Sequence, residues 1–64
     1  MEKIKVRKLV YILEAYQTTE KKVISTLEGN LTAQPGDWIV TGISGEEYPV
    51  KSSLFWRLYE RVRE

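Results

Sequence analysis

The part of the sequence that most restricts the fold is residues 35–48, PGDWIVTGISGEEY, in which turn signals stand on both sides of a β-strand pattern. Pro35 fixes φ at the second position of a turn, and Gly36 accepts the positive φ that the third position of a type II turn requires. Gly42 and Gly45 supply the flexible points of a second reversal. This spacing predicts a chain that folds back on itself as an antiparallel sheet.

The N-terminal part of the chain is rich in β-branched and aromatic residues, which is typical of strands. The apolar alternation of residues 4–15 slips by one position near Arg7–Lys8, and such a slip turns the opposite face of a strand towards the core. The pattern therefore predicts either one long bent strand or an irregular lead-in followed by a strand from about Leu9.

Further strand patterns occur before and after the central turn. Residues 23–33 alternate around Gly29–Asn30, whose tolerance of positive φ predicts a tight hairpin with residues 31–33 as its return strand. Residues 47–51 contain Pro49, which has no backbone N–H to donate and therefore predicts a short strand or an edge strand.

The C-terminal segment has the apolar spacing of a helix, with Ser52 or Ser53 as its predicted N-cap and a start at about Leu54. One apolar stripe occupies positions i, i+3, i+4 and i+7, namely Phe55, Leu58, Tyr59 and Val62. The patterns together predict a single α+β domain over residues 1–64. It is mainly β, with a small bent antiparallel sheet or partly open barrel of four to five strands and one C-terminal helix. The predicted core consists of Trp38, Val40, Tyr48, Phe55, Leu58 and Tyr59.

The small size of the chain limits how it is stabilised. A domain of 64 residues has a small core, and such scaffolds usually add disulfides, a metal or a partner subunit. The sequence has no cysteine and no histidine, which excludes disulfides and the usual zinc sites. We therefore expect a homodimer or higher homo-oligomer and no cofactor. The net charge of +1 gives no general attraction to anionic membranes, and the longest apolar run, Leu9–Leu13, is too short to span a bilayer. The absence of cysteine fits a cytoplasmic location.

The central stretch lacks the signatures of a phosphate-binding loop and of a catalytic site. Neither G-x-G-x-x-G nor G-x-x-x-x-G-K-[ST] occurs, so the prolines and glycines are interpreted as turn and edge residues: Pro35, Gly36, Gly42, Gly45 and Pro49. Asp37 follows Pro-Gly directly and is expected to accept hydrogen bonds from turn amides. Because histidine is absent and no serine has a recognisable partner base, we expect no enzymatic activity.

Basic and aromatic residues leave nucleic-acid binding open as an alternative. Lys3, Lys5, Arg7 and Lys8 form a basic strip near the N-terminus, which Lys21 and Lys22 extend. Several aromatic side chains are available to stack on bases, as in small barrels that bind single strands. Acidic residues are interspersed with the basic ones, however, and a solvated strand face explains the same pattern.

Trp56 lies about 100° around the predicted helix from Phe55, outside the centre of the apolar stripe. A tryptophan in such a position either marks an interface or lies flat over the barrel mouth and completes an undersized core. Both alternatives make the helix central to stability. The candidate partner-binding residues are Trp56, Leu54, Arg57, Arg7 and Lys8.

The segment TLEGNLTAQPGDWIVTGISGEEYPVKSSLFWRLYE resembles the C-terminal part of a set of small phage and prophage proteins, most of which have no assigned function. The positions that carry the resemblance are Leu27-Glu28-Gly29, Pro35-Gly36-Asp37-Trp38-Ile39, Gly42, Gly45-Glu46, Tyr48-Pro49, Lys51, Phe55 and Tyr59-Glu60. Members of that family often have an insertion where this chain has only TTEKK, and usually a polar or charged residue at the position of Trp56. The resemblance implies a compact β-rich fold and a phage or prophage origin.

The sequence thus favours a non-enzymatic phage accessory protein that binds a host or phage macromolecule, a protein above all, and that acts as an inhibitor. One alternative is an oligomeric protein that sequesters a nucleotide signal, with basic residues near Arg7 and Arg57 and with aromatic stacking. The other alternative is a small barrel that binds single-stranded nucleic acid.

Overall fold

A computed structural model describes residues 2–7 and 10–63, and within them it contains five strands and one helix. The elements are β1 (Glu14–Gln17), β2 (Lys22–Thr26), β3 (Gly29–Ala33), β4 (Trp38–Thr41), β5 (Glu47–Val50) and α1 (Ser52–Leu58). Strands β1, β4 and β5 form an antiparallel sheet in the order β1-β4-β5, and β2 and β3 form a separate hairpin. The predicted fold class is confirmed, and the described strands form an open, bent arrangement rather than a closed barrel.

The first four strands form one continuous β-ribbon with a bend in the middle. The pairing of β1 with β4 ends at Gln17 and Trp38, and the pairing of β2 with β3 begins at Lys22 and Ala33. Equal segments, residues 18–21 and 34–37, separate the two ladders, so the register passes through the bend without a bulge. The bend therefore changes the direction of the ribbon without changing which residues face each other.

Backbone hydrogen bonds hold the two sides of the ribbon together within the bend. The N–H of Thr18 donates to the carbonyl of Asp37 (2.9 Å), and the N–H of Gly36 donates to the carbonyl of Thr18 (2.8 Å). The N–H of Asp37 donates to the carbonyl of Gln34 (2.9 Å), which closes the Pro-Gly turn. Gly36 has φ +94°, a left-handed backbone conformation that residues with a Cβ rarely adopt.

The other two reversals differ in detail. Between β4 and β5 the N–H of Gly45 donates to the carbonyl of Gly42 (3.0 Å), as expected from the turn glycines. In the β2–β3 hairpin the connecting residues are Leu27 and Glu28, whereas Gly29 pairs with Thr26 as the first residue of β3. The turn therefore lies two residues earlier than predicted, because Gly29, with φ +107°, is used to enter the return strand.

Alternate residues of β4 face the two sides of the three-stranded sheet. On the hairpin face, Ile39 packs with Ile24 and Ala33 of the β2–β3 hairpin. On the helix face, Val40 packs with Val50 and with Phe55 of α1. The partly buried residues that complete the helix face are Leu13, Trp38, Tyr48 and Tyr59. The domain thus has three layers with β4 in the centre.

The predicted starts of the first strand and of the helix are wrong. The first strand begins at Glu14 rather than at about Leu9, and residues 2–7 and 10–13 form neither helix nor strand; Lys8 and Leu9 lie outside the described residues. The helix begins at Ser52, after Lys51 as N-cap, and neither predicted serine provides a side-chain cap.

The helix also ends earlier than its apolar stripe. Tyr59 is extended (φ −131°, ψ 156°), so the last turn that would place Val62 on the stripe does not form. Leu58 is the last helical residue and is 66% exposed, so the prediction that it belongs to the core is wrong. Tyr59 reaches the core from the extended chain beyond the helix.

Candidate functional site

Five aromatic residues meet on the helix face and form the aromatic cluster of this domain: Trp38, Tyr48, Phe55, Trp56 and Tyr59. They come from β4, β5, α1 and the chain directly after α1. Register explains the first two, because Val40 pairs with Tyr48 and Trp38 pairs with Val50, which sets all four side chains on the helix face. The cluster therefore depends on the sheet as well as on the helix.

Phe55 is the centre of the aromatic cluster. Its ring is parallel to that of Trp38, with an interplanar angle of 5° and centroids 4.1 Å apart, and it is also stacked with Tyr59 at 5.1 Å. Only 4% of Phe55 is exposed. The ring thus fixes the position of α1 against β4.

Trp56 is held against this stack and yet faces solvent. Its ring is nearly perpendicular to those of Trp38 and Phe55, at centroid distances of 5.4 Å and 4.8 Å. Because both distances are similar, the indole lies beside the stack rather than over one end of it. The side chain is nevertheless 57% exposed. Trp56 therefore combines the two roles that the sequence left open: it extends the core, and it leaves a large apolar surface available.

The exposed surface of α1 continues from Trp56 around the helix. At about 100° per residue, Arg57 follows Trp56 on the outer side, and Leu54 and Leu58 follow Arg57. All four side chains are exposed. These four residues are called the outer helix surface below. It contains three of the predicted partner-binding residues; the other two are Arg7, which is exposed in the N-terminal segment, and Lys8, which lies outside the described residues.

Two tyrosines of the aromatic cluster share a hydrogen bond. The hydroxyl groups of Tyr48 and Tyr59 are 3.2 Å apart. This bond, together with partial burial, raises the pKa of Tyr48 to about 12. The bond ties β5 to the chain after α1, which is a structural role.

The carboxylate of Asp37 is bonded to backbone amides at both oxygens. Oδ2 accepts from the N–H of Gln34 (2.9 Å), and Oδ1 accepts from the N–H of Ser52 (3.1 Å). The bond from Gln34, followed by that from Ser52, lowers the pKa of Asp37 below its ordinary value. Since Ser52 is the first residue of α1, Asp37 caps the helix from a distant part of the chain.

This cap explains why an aspartate follows the Pro-Gly turn at the start of the central stretch. The sequence predicts that Asp37 accepts hydrogen bonds from turn amides, and the bond from Gln34 is of that kind. The second bond links the bend of the ribbon to the start of α1. A carboxylate whose pKa is lowered in this way is a poor general base near neutral pH.

Two other features lie on the surface, a contact between a lysine and a tyrosine and an open depression. The ammonium group of Lys22 donates to the hydroxyl of Tyr16 (3.1 Å), which raises the pKa of Lys22. An open depression of about 190 Å³ lies between the start of β1 and the β4–β5 loop, lined by residues 12–14 and 41–43. Neither brings together a set of groups suited to catalysis. Within residues 2–7 and 10–63, no helix has the length and hydropathy needed to cross a membrane.

No family model matches the chain, and no curated protein or solved structure is significantly similar to it. The resemblance to small phage proteins therefore stays a prediction from the residues that carry it. The aromatic cluster and the outer helix surface are the features from which a function has to be inferred.

Proposed function

We propose that this chain is a non-enzymatic binding protein that engages a protein partner through its outer helix surface. On the resemblance of its sequence, it is an accessory protein of phage or prophage origin that acts in the host cytoplasm as an inhibitor. The partner surface is apolar with an acidic group, since Arg57 lies between Trp56 and Leu54 around the helix.

The observation that carries the proposal is the position of Trp56. Exposed tryptophans on solvated helices usually lose rotamer freedom when they bind, and that loss opposes association. Here the indole already contacts Trp38 and Phe55, so much of its rotamer freedom is already lost in the free protein. Tryptophan and arginine are the side chains that most often dominate binding energy in protein interfaces. Trp56 and Arg57 are adjacent on this surface.

The groups with shifted pKa values support a binding role as well. Asp37 uses both carboxylate oxygens for backbone amides, and Tyr48 uses its hydroxyl for Tyr59. Their shifts thus have structural causes within the described part of the chain. Perturbed groups at a catalytic site would instead face a cleft in which a substrate binds.

The test is affinity capture from infected or lysogenic cells, followed by titration of the captured protein with purified variants. Trp56→Ala removes the indole, and Leu27→Ala removes a fully exposed apolar side chain from the tip of the β2–β3 hairpin. We expect Trp56→Ala to weaken binding by roughly 30-fold, the effect of an interface hot spot of about 2 kcal/mol, and Leu27→Ala to leave it unchanged. Equal affinities of both variants would contradict the proposal.

A thermal-shift screen against cyclic and linear nucleotides addresses the main alternative. A nucleotide bound at a hundredfold excess over its Kd would stabilise the fold by about 2.7 kcal/mol. We expect no shift that depends on Trp56. A nucleotide that raises the Tm of the wild type, but not that of Trp56→Ala, would replace the proposed protein partner with a small-molecule ligand.

A further inference from the structure

The N-terminal residues that the structure describes before β1 have the composition of a strand but belong to no sheet. These residues, 2–7 and 10–12 in the described chain, are called the arm below. Ile4, Val6, Val10 and Ile12 are all largely exposed, and Val10 is 97% exposed. Side chains of this kind are enriched in strands because they pack well on a half-buried pleated surface. Within the described part of the isolated chain, these four side chains have no such surface to pack against.

The dimensions of the chain show that it leaves more surface open than a compact monomer of its size. The accessible surface is 6262 Å², whereas a compact monomer of 7.5 kDa has about 4,200 Å². The radius of gyration is 14.2 Å, against about 11 Å for a compact domain of this length. The excess of about 2,000 Å² exceeds the area of about 800 Å² that each partner buries in a standard interface.

The strand that follows the arm has an open edge. In the order β1-β4-β5, strand β1 pairs with β4 on one side and, among residues 2–7 and 10–63, with no strand on the other. Because the N–H of Thr18 donates towards β4, the alternation of an antiparallel ladder directs the backbone groups of Ala15 and Gln17 to the open edge. Extended in the same phase, Tyr11 also directs its N–H to that edge.

We propose that two copies of the chain associate by exchanging their arms. Residues 10–12 of each copy add an antiparallel strand to the open edge of β1 in the other copy, about a two-fold axis. This pairing joins the two three-stranded sheets into one, places the β-branched residues of the arm on a sheet surface and removes both open edges. The interface lies at β1, so it does not depend on the proposed function of the outer helix surface.

Sedimentation analysis of the full-length chain with two proline variants tests the proposal. Proline removes a backbone N–H, and strands tolerate it only where that N–H faces away from the ladder. Tyr11→Pro removes a donor at the proposed interface, whereas Val10→Pro makes the same change one residue away, on the opposite side. We expect the wild type and Val10→Pro to sediment at twice 7.5 kDa, and Tyr11→Pro to sediment as a monomer.

Hydrogen exchange gives an independent measurement on the same samples. The amides of Ala15 and Gln17 should exchange slowly in the wild type and rapidly in Tyr11→Pro, while the amides of Ile39 and Val40 in the centre of the sheet stay protected in both. Protection at Ile39 and Val40 also shows that the variant is folded. A wild type that is monomeric across a dilution series would overturn the proposal. Equal behaviour of the two proline variants, or dissociation caused by Trp56→Ala alone, would overturn it as well.

Discussion

The two faces of the three-stranded sheet are covered in different ways. The helix face depends on large rings, with Phe55 stacked on Trp38 at 4.1 Å and Trp56 beside them. The buried cluster on the hairpin face consists of the smaller side chains Ile24, Ala33 and Ile39. The helix is a separate element, whereas the hairpin is the continuation of β1 and β4 through the bend. The buried contacts with α1 thus use large rings, whereas those with the hairpin use smaller aliphatic side chains.

This difference implies different sensitivity to substitution. Detaching α1 exposes the aromatic surface of Phe55 and Trp38 and breaks the hydrogen bonds that Asp37 and Tyr48 make with the helix and the chain after it. Detaching the hairpin also requires the hydrogen bonds between Thr18 and the Pro-Gly turn to break. The helix face should therefore lose more stability per residue changed.

The largest expected effect is that of Phe55→Ala. Truncation of a buried phenylalanine costs roughly 3–5 kcal/mol, which approaches the whole stability of a small domain. We expect a large unfolded fraction at 25 °C, measured by urea titration with near-ultraviolet circular dichroism. The matched control is Leu58→Ala on the same helix, which should change stability by less than about 0.5 kcal/mol because Leu58 is exposed. Similar losses in both variants would show that the helix packs differently.

On the hairpin face the expected effect is smaller. Ile39→Val removes one methylene from a fully buried side chain between β4 and the hairpin. The free energy of unfolding should fall by about 0.5–1.5 kcal/mol. Val23→Ala in β2, where the side chain is largely exposed, serves as the control and should have little effect. A loss at Ile39 as large as that at Phe55 would remove the difference between the two faces.

The helix face is the part of the fold that the sequence predicts best. Trp38, Val40, Tyr48, Phe55 and Tyr59 all lie on it, because aromatic residues at alternate and helical spacing leave a strong pattern. The residues of the hairpin face were not among the predicted core. Ile24 and Ala33 come from a hairpin whose alternation does not show which side the bend turns inward. That information depends on the tertiary path of the ribbon.

The sequence rule for helix capping failed because a distant carboxylate takes the place of a local serine. Ser52 and Ser53 are good N-cap residues, yet the first amide of α1 bonds to Asp37, fifteen residues earlier in the chain. The arm shows the opposite problem, since a clear strand composition has no partner strand in the part of the chain that the structure describes. The candidate binding residue Trp56 was found because it lies beside a regular stripe, but its contact with Trp38 depends on the position of β4.

The smallest expected effect is that of Asp37→Asn. The Asp37 carboxylate connects the bend of the ribbon to the first residue of α1. Its folded-state pKa is lowered by the amides of Gln34 and Ser52, so the unfolded chain binds the proton more readily than the folded chain. The contribution of Asp37 to stability is therefore complete above its ordinary pKa of 3.8 and is lost as the pH falls through the lower folded-state value. Asp37→Asn should flatten the decrease of Tm with acid in that range, whereas Glu28→Gln, an exposed carboxylate of the hairpin turn, controls for the loss of one negative charge. If Asp37→Asn left the acid dependence of Tm unchanged, the bonds that join the ribbon bend to the first turn of α1 would not contribute to folding, and the helix would depend on its aromatic contacts alone.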